Sequence, residues 1–230
     1  FGGPSHAIIS SSLALSKQGF KVDILTCDKK NSNFFKSKKI RIMNKGPSIL
    51  GEFGFSLKYT LWLLKHRHEY DAFIIHGIWL YPSLIARILL KKKYFVFTHG
   101  QLDPFFGLNL IKKIKKQIYW YLIEKKNLLL SRSLILTSEG EKKSLKHTFV
   151  NTNGIRKTIV RYGINQPKFN KNKALRYFYK KFPNLKNKRF LLFLGRFHEK
   201  KGCDILIEAI KKLSDQNINI KVLLAGSNNN

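Results

Sequence analysis

Near the C-terminal end, the segment LGRFHEKKG (194–202) carries residue types that suit anion binding. Gly195 and Arg196 follow an apolar run that predicts a strand, and Lys201 and Gly202 precede a helical pattern. An arginine fork matches phosphate oxygens, and a lysine supplies a point charge. Because amides are free at the N-terminus of a helix, this spacing predicts an anion site, and two cations would balance the charge of a diphosphate. The alternative is a solvated turn in a lysine-rich protein.

Two His-Gly pairs also follow predicted strands. His76 and Gly77 come after AFII (72–75), and His99 and Gly100 come after YFVFT (94–98). A lone histidine more often has a structural role, but two of them at neighbouring strand ends favour a functional one. Such a histidine can donate a hydrogen bond or exchange a proton with a substrate.

The glycine pair Gly2-Gly3 precedes the first helical pattern. Glycine allows the backbone to approach a ligand closely. The pair does not form a G-x-G-x-x-G motif, so the residues by themselves favour an ordinary turn.

Metal and other catalytic motifs are missing from these residues. The sequence has no H-E-x-x-H, no D-x-D and no zinc-type cysteine spacing, so no metal site is predicted. It also has no G-x-S-x-G and no Walker loop.

The charge balance limits the classes of partner. Lys and Arg number 44 against 13 Asp and Glu, a net charge of +31. Such an excess predicts an anionic partner: nucleic acid, a membrane surface or a phosphorylated substrate. A generally lysine-rich proteome is the alternative. The basic residues are spread over almost every segment and no nucleic-acid-binding module is present, so no specific nucleic-acid partner is predicted.

Cysteine usage and hydropathy indicate the compartment. The two cysteines form no CxxC pair, which favours a reducing environment. No run of 18 apolar residues occurs, so no membrane span is predicted. No signal peptide is expected, and both ends look like cuts within a longer protein.

Short apolar runs alternate with helical patterns along the chain. Runs of this kind are typical of strands buried on both faces of a parallel sheet, and the alternation predicts an α/β fold. The basic segment 166–188 interrupts it and is interpreted as a linker with a short helix. The predicted strands are 21–26, 72–75, 94–98, 133–137, 158–162, 189–194 and 220–225. The predicted helices are 5–18, 57–67, 82–92, 109–129, 139–147 and 203–215.

One of these helices is strongly basic and amphipathic. Ile111, Ile114, Ile118 and Leu122 fall on one face of segment 108–126, between lysines. The favoured interpretation is that this face packs on the sheet while the lysines lie in water. The alternative is a helix that lies on an anionic bilayer.

Taken in order, several segments resemble GT-B glycosyltransferases of the glycosyltransferase family 4 type. The most specific is LFLGRFHEKKGCDILIEAIKKL, which follows the family pattern G-R-x-x-x-x-K-G and continues into L-I-E-A. The other segments that carry the resemblance are FGG, KVDILT, YDAFIIHGIW, FTHGQLDPF, LILTSEGEKKSL and VRYGI.

The resemblance implies two Rossmann-like domains with parallel sheets that face each other across a cleft. An acceptor domain would span 1–165, without its first strand, and a truncated donor domain would span 189–230 after the linker. It further implies a retaining, metal-independent hexosyltransferase without a cofactor, which uses a UDP- or GDP-linked sugar as donor.

The resemblance also assigns roles to individual residues. Arg196 and Lys201, next to Gly195, would bind the donor diphosphate and stabilise the leaving nucleotide. The backbone at Gly2 and Gly3 would approach the same phosphates. His99 would contact the transferred sugar.

The family's E-x7-E segment does not occur in these residues, so the chain alone is expected to be inactive. The resemblance suggests a saccharide or lipid-linked acceptor in bacterial cell-surface polysaccharide, lipopolysaccharide or capsule synthesis. It also suggests a cytoplasmic enzyme, peripheral on the inner face of the cytoplasmic membrane. A nucleotide-sugar 2-epimerase of the same fold and a basic nucleic-acid-binding protein are the alternatives.

Overall fold

A computed structural model describes residues 3–29, 35, 37–104, 110–163 and 166–227 of the chain. The predictions at Gly2 and at the last residues lie outside this range. The chain divides into two compact units, Phe1–Asn165 and Gln166–Asn230. The described strands are β1 (Asp23–Thr26), β2 (Arg41–Asn44), β3 (Phe73–His76), β4 (Tyr94–Phe97), β5 (Leu134–Leu136), β6 (Lys157–Ile159), β7 (Phe190–Leu194) and β8 (Lys221–Ala225).

Every strand pair in the described chain is parallel. Unit 1 holds the pair β1-β2 and a four-stranded sheet of order β3-β4-β5-β6, and unit 2 holds the pair β7-β8. Because parallel strands need crossover connections, helices lie between them in sequence. The helices are α1 (Gly3–Lys17), α2 (Leu57–His66), α3 (Tyr81–Leu90), α4 (Leu110–Tyr119), α5 (Lys125–Leu129), α6 (Glu139–Ser144), α7 (Lys171–Lys181) and α8 (Cys203–Asp215).

The predicted α/β class with parallel sheets is confirmed. Each predicted strand and helix is present, with ends shifted by a few residues. Strand β2 falls in a stretch whose pattern gave no prediction. Within the described residues, no helix has the length and apolar character needed to cross a membrane.

The core of unit 1 lies around β4 and β5. Tyr94, Val96, Leu134 and Leu136 are fully buried on these strands, and Trp120 of the following helical segment packs into the same cluster. Burial of such side chains is the main source of stability in a domain of this size, at about 1.5–3 kcal/mol each. The strands that precede His76 and His99 are therefore anchored in the core of unit 1.

Unit 2 is smaller, and its two strands are more exposed than their apolar sequence predicts. Leu192 and Leu194 of β7 and Leu224 of β8 face solvent, so the prediction of burial on both faces is wrong for this pair. Helix α8 places its half-buried residues at helical spacing, at positions 203, 206, 210 and 213. Phe178 of α7 stacks on Phe190 of β7, so α7 packs against the strand pair within this unit.

The amphipathic helix lies with its apolar face outward, and the favoured interpretation of it is wrong. Ile111, Ile114, Ile118 and Leu122 are between 46% and 66% exposed. The opposite face points into the protein, because Trp120 is fully buried there and donates its indole N–H to the carbonyl of Asn151, 3.2 Å away.

Candidate functional site

The two predicted histidines meet at the carboxyl end of the four-stranded sheet. His76 ends β3 and lies opposite Phe97 in the register of β3 and β4. His99 comes two residues after Phe97, and its Nε2 lies 2.9 Å from Nδ1 of His76. The structure therefore brings together the two His-Gly pairs that the sequence had indicated at neighbouring strand ends.

Tight turns after both strands produce this geometry. His99 has φ 51° and Gly100 has φ 78°, both in the left-handed region. Gly77 has φ 95°, and a Cβ there would lie 2.9 Å from Cδ1 of Leu80. Left-handed backbone is strained for a residue other than glycine, and such strain is concentrated at functional sites. His99 is thus held in an unusual conformation just above the end of the sheet.

Tyr162 completes the histidine cluster. Its hydroxyl forms a short hydrogen bond with Nδ1 of His99. The rings of Phe97 and His99 stack with centroids 4.5 Å apart, and the ring of Tyr162 stacks on Phe97 at 5.5 Å. Sequence reasoning missed Tyr162 as a site residue. The available signal was its position in VRYGI, at the end of the predicted strand 158–162.

The cluster is uncharged near neutral pH. Burial, with a smaller contribution from the neighbouring His99, lowers the pKa of His76 to about 3. Burial also lowers the pKa of His99, although the nearby Glu141 carboxylate opposes the shift. A neutral imidazole has one N–H donor and one acceptor nitrogen, so His99 can donate to or accept from a hydroxyl without changing its charge.

Glu141 supports this region from the start of α6. Its carboxylate accepts hydrogen bonds from the backbone N–H and the hydroxyl of Thr137, at 2.6 and 2.7 Å. The hydroxyl of Ser138 in turn accepts the N–H of Glu141 at 3.0 Å. This arrangement resembles a capping box. The TSEGE segment therefore stabilises the start of α6 by hydrogen bonds.

In unit 2, the residues Gly195 to Gly202 form the turn between β7 and α8. The N–H of Gly195 donates to Ala225 at 2.9 Å, and the N–H of Phe197 donates to Ser227 at 3.1 Å. The 3-10 turn Glu199–Lys201 follows, and the His198 side chain accepts the N–H of Lys200 at 3.1 Å. The turn is thus fixed at its beginning and in its middle.

This turn exposes the two predicted cations. Arg196 and Lys201 are both exposed, and no ion pair in the described part of the chain engages either of them. The side chain of Lys201 runs past Gly195, with its Cγ 4.0 Å from where a Cβ of Gly195 would stand. Gly195, Arg196 and Lys201 therefore lie on one turn with both charges available to an anion.

Helix α8 begins at this turn without a side-chain cap. Gly202 occupies the cap position with φ 67° and provides no side-chain cap hydrogen bond to the first-turn amides. Free amides and the helix dipole favour an anion at this end. They reinforce the two cations that precede them.

Gly226 is a residue of this site that sequence reasoning missed. A Cβ at Gly226 would stand 1.7 Å from the carbonyl oxygen of Gly195 and 3.5 Å from the nitrogen of Arg196. No side chain fits in that space, so glycine is required where the ends of β7 and β8 meet. Its position just after the last predicted strand was the available signal.

The predicted glycine turn at the N-terminus is only partly described. Gly3 is the first residue of α1 rather than part of a turn before the helix, and Gly2 lies outside the described residues. Among the described residues, a Cβ on Gly3 would meet no atom within 4 Å outside the backbone of its own helix. Packing within the protein therefore does not require glycine at this position.

Comparison with protein-family models covers nearly the whole chain. Residues 1–169 match the model described as Glycosyltransferase Family 4, and residues 176–230 match the model described as Glycosyl transferases group 1. Among proteins of curated function, none matches the chain. Because the first model alone covers more than half of the sequence, the chain belongs to glycosyltransferase family 4.

Proposed function

We propose that this protein is a retaining, metal-independent glycosyltransferase that moves a hexosyl group from a UDP- or GDP-linked sugar to a saccharide or lipid-linked acceptor. Membership in the family implies a nucleotide-sugar donor and an acceptor. The observation that carries the finer proposal is the turn after β7, which presents Arg196 and Lys201 beside the uncapped amides of α8. No D-x-D sequence occurs in the chain, which supports the metal-independent part.

In this proposal, named residues bind the donor diphosphate and contact the transferred sugar. Arg196 and Lys201 bind the donor diphosphate and stabilise the negative charge that builds on the leaving nucleotide. Gly2, Gly3 and Gly195 are assigned to the same diphosphate, because a residue without a side chain allows a close approach of the backbone. His99 contacts a hydroxyl of the transferred sugar while His76 holds its ring in place. We assign the acceptor domain to residues 1–165, a linker to 166–188 and the donor domain to 189–230.

The proposed setting is the synthesis of bacterial cell-surface polysaccharide or lipopolysaccharide, at the inner face of the cytoplasmic membrane. A lipid-linked acceptor fits a protein with a net charge of +31, because the head groups and diphosphates of such acceptors are anionic.

A thermal-shift screen of UDP, GDP, ADP and their hexose conjugates, with EDTA present, tests the donor class and the metal independence together. A ligand at a hundred times its Kd stabilises the folded state by about 2.7 kcal/mol, which for a chain of this size raises Tm by roughly 5–10 °C. We expect such a rise for one nucleotide. A rise that needs Mg²⁺, or no rise with any of them, would contradict the proposal.

A further inference from the structure

The outward face of α4 forms an apolar stripe that no described residue covers. Ile111, Ile114 and Ile118 of α4 recur at helical spacing with Leu122 of the π-helical segment Trp120–Glu124 that continues it, and each is about half exposed or more. No residue of α4 itself is buried. The apolar stripe of a soluble helix normally faces the core. The stripe on α4 faces outward, which is not expected of a helix whose only role is to support a sheet.

Polar contacts fix this orientation from the inner side. The Gln117 side chain donates to the carbonyl of Phe149 at 3.1 Å, and the ammonium of Lys116 lies over the ring of Trp79, 5.3 Å from its centroid. About two turns further on, the buried Glu124 accepts a hydrogen bond from the Ser83 hydroxyl at 2.5 Å. Rotation of the helix to bury the stripe would break all three contacts, and the outward stripe is therefore a stable property of the fold.

The apolar surface continues from Leu122 into a shallow groove between α3 and α5. Ile88, Leu129 and Leu130 line this groove and are exposed. Arg87 and Lys126 also line it, so the groove has apolar walls and basic side chains. We call the stripe and the groove together the α4–α5 surface.

The exposed charges on the segment that forms most of the α4–α5 surface are basic. Lys112, Lys113 and Lys115 are exposed next to the stripe, and Lys126 is exposed at the groove. Between Asp103 and Glu139 the only acidic residue is Glu124, whose side chain is buried. Exposed Glu52 interacts with Lys116, on the side of α4 that contacts Trp79 rather than on the stripe. An exposed apolar stripe with lysines, on a segment whose one carboxylate is buried, is complementary to an anionic bilayer, where the apolar residues enter the acyl boundary and the lysines meet the head groups.

We propose that the α4–α5 surface docks this protein onto an anionic lipid bilayer. The inference deepens the proposed membrane setting, but it does not depend on sugar transfer. The nucleotide screen and the lipid experiment can therefore fail independently. A second copy of the chain is a less suitable occupant, because it would bring an identical row of lysines against the first.

Vesicle flotation tests the proposal, with phosphatidylglycerol mixed into phosphatidylcholine compared against phosphatidylcholine alone. At a net charge of +31, low-salt binding to anionic vesicles is expected of any surface. The informative measurement is binding at about 0.5 M salt, where exposed charges are largely screened. We expect measurable binding to remain in the wild type at this salt concentration.

The key variant is Ile114→Ser with Ile118→Ser, which keeps every charge. Both side chains are already exposed, so the fold should survive, and circular dichroism checks that it does. The loss of two inserting side chains should lower the partition coefficient at least about tenfold. The matched control is Phe169→Ser with Tyr177→Ser, which removes two exposed aromatic residues near lysines in unit 2 and should leave binding unchanged.

Three results would overturn the proposal. The first is binding that high salt abolishes in all variants alike, which would indicate charge attraction only. The second is the absence of any preference for phosphatidylglycerol. The third is a wild-type dimer by light scattering that the Ile114/Ile118 variant dissociates, because a second copy would then cover the stripe.

Discussion

Both ring nitrogens of His99 are engaged by the protein itself, one by His76 and the other by Tyr162. If His99 contacts the transferred sugar as proposed, a sugar hydroxyl can reach Nδ1 only by taking the place of the Tyr162 hydroxyl. Tyr162 is exposed on its outer side, so such an exchange needs no opening of the core. His76, by contrast, is largely buried and serves to position the ring of His99.

The low pKa of His76 predicts acid lability. Its pKa in the folded protein, about 3, lies below the ordinary value of 6.5. The unfolded chain therefore takes up a proton first as the pH falls, and the stability present above pH 6.5 is lost toward pH 3. Between pH 7 and pH 5 the loss through this one group should be about 2 kcal/mol.

The variant His76→Gln isolates this effect, because glutamine can still hydrogen bond with His99 but does not titrate. Urea unfolding at pH 7 and pH 5 measures the free energy of unfolding of both proteins. The variant should lose about 2 kcal/mol less than the wild type between the two pH values. Equal losses in both proteins would show that His76 is not held neutral by burial.

At the scale of elements, the ends of β7 and β8 approach each other so closely that the donor turn depends on Gly226. The contact holds Gly195 in place, and Gly195 adjoins both Arg196 and Lys201. The geometry of the proposed phosphate site therefore depends on a residue that carries no charge or side chain of its own.

Gly226→Ala should distort this turn. Its Cβ would overlap the carbonyl oxygen of Gly195, so the strands must separate locally at a cost of roughly 1–3 kcal/mol. Gly140→Ala in α6 is the matched control, since its Cβ would meet only Ser138 Oγ at an ordinary 3.6 Å. Alanine in a helix should stabilise by about 0.5–1 kcal/mol. Urea unfolding that shows no cost for Gly226→Ala would contradict the close approach.

The sequence predicts the helices and strands well, but it does not predict which side of each element faces the core. Short apolar runs identify β3, β4 and β5, because buried parallel strands have few polar positions. The same reasoning misplaced α4, whose apolar stripe is as regular as that of a core helix. The deciding contacts involve Gln117, Trp120 and Glu124, which pair with residues distant in sequence. Hydrophobic periodicity carries no information on such contacts.

At the scale of the whole molecule, the candidate site is predictable in part. The two histidines and the Gly-Arg and Lys-Gly pairs lie at strand ends, where ligands bind in parallel α/β sheets. Tyr162 and Gly226 could not be selected in the same way. Their importance comes from a hydrogen bond across the sheet and from a close backbone contact, and neither leaves a local pattern. The roles of both residues follow only from the three-dimensional structure.

The central claim is that the turn after β7 binds the diphosphate of a nucleotide sugar, and calorimetry of UDP, GDP and ADP binding tests it most directly. The wild type should bind one of these nucleotides. Arg196→Ala and Lys201→Ala should each weaken it by roughly 1.5–3 kcal/mol, about one to two decades in affinity.

Lys211→Ala is the matched control, because it removes an exposed lysine from the other end of α8. It should leave the affinity within a factor of about two, since a distant surface charge is screened. Selective loss in the Arg196 and Lys201 variants is the predicted result. Equal affinity in all four proteins, or no binding to any nucleotide, would contradict the assignment of this turn to the donor.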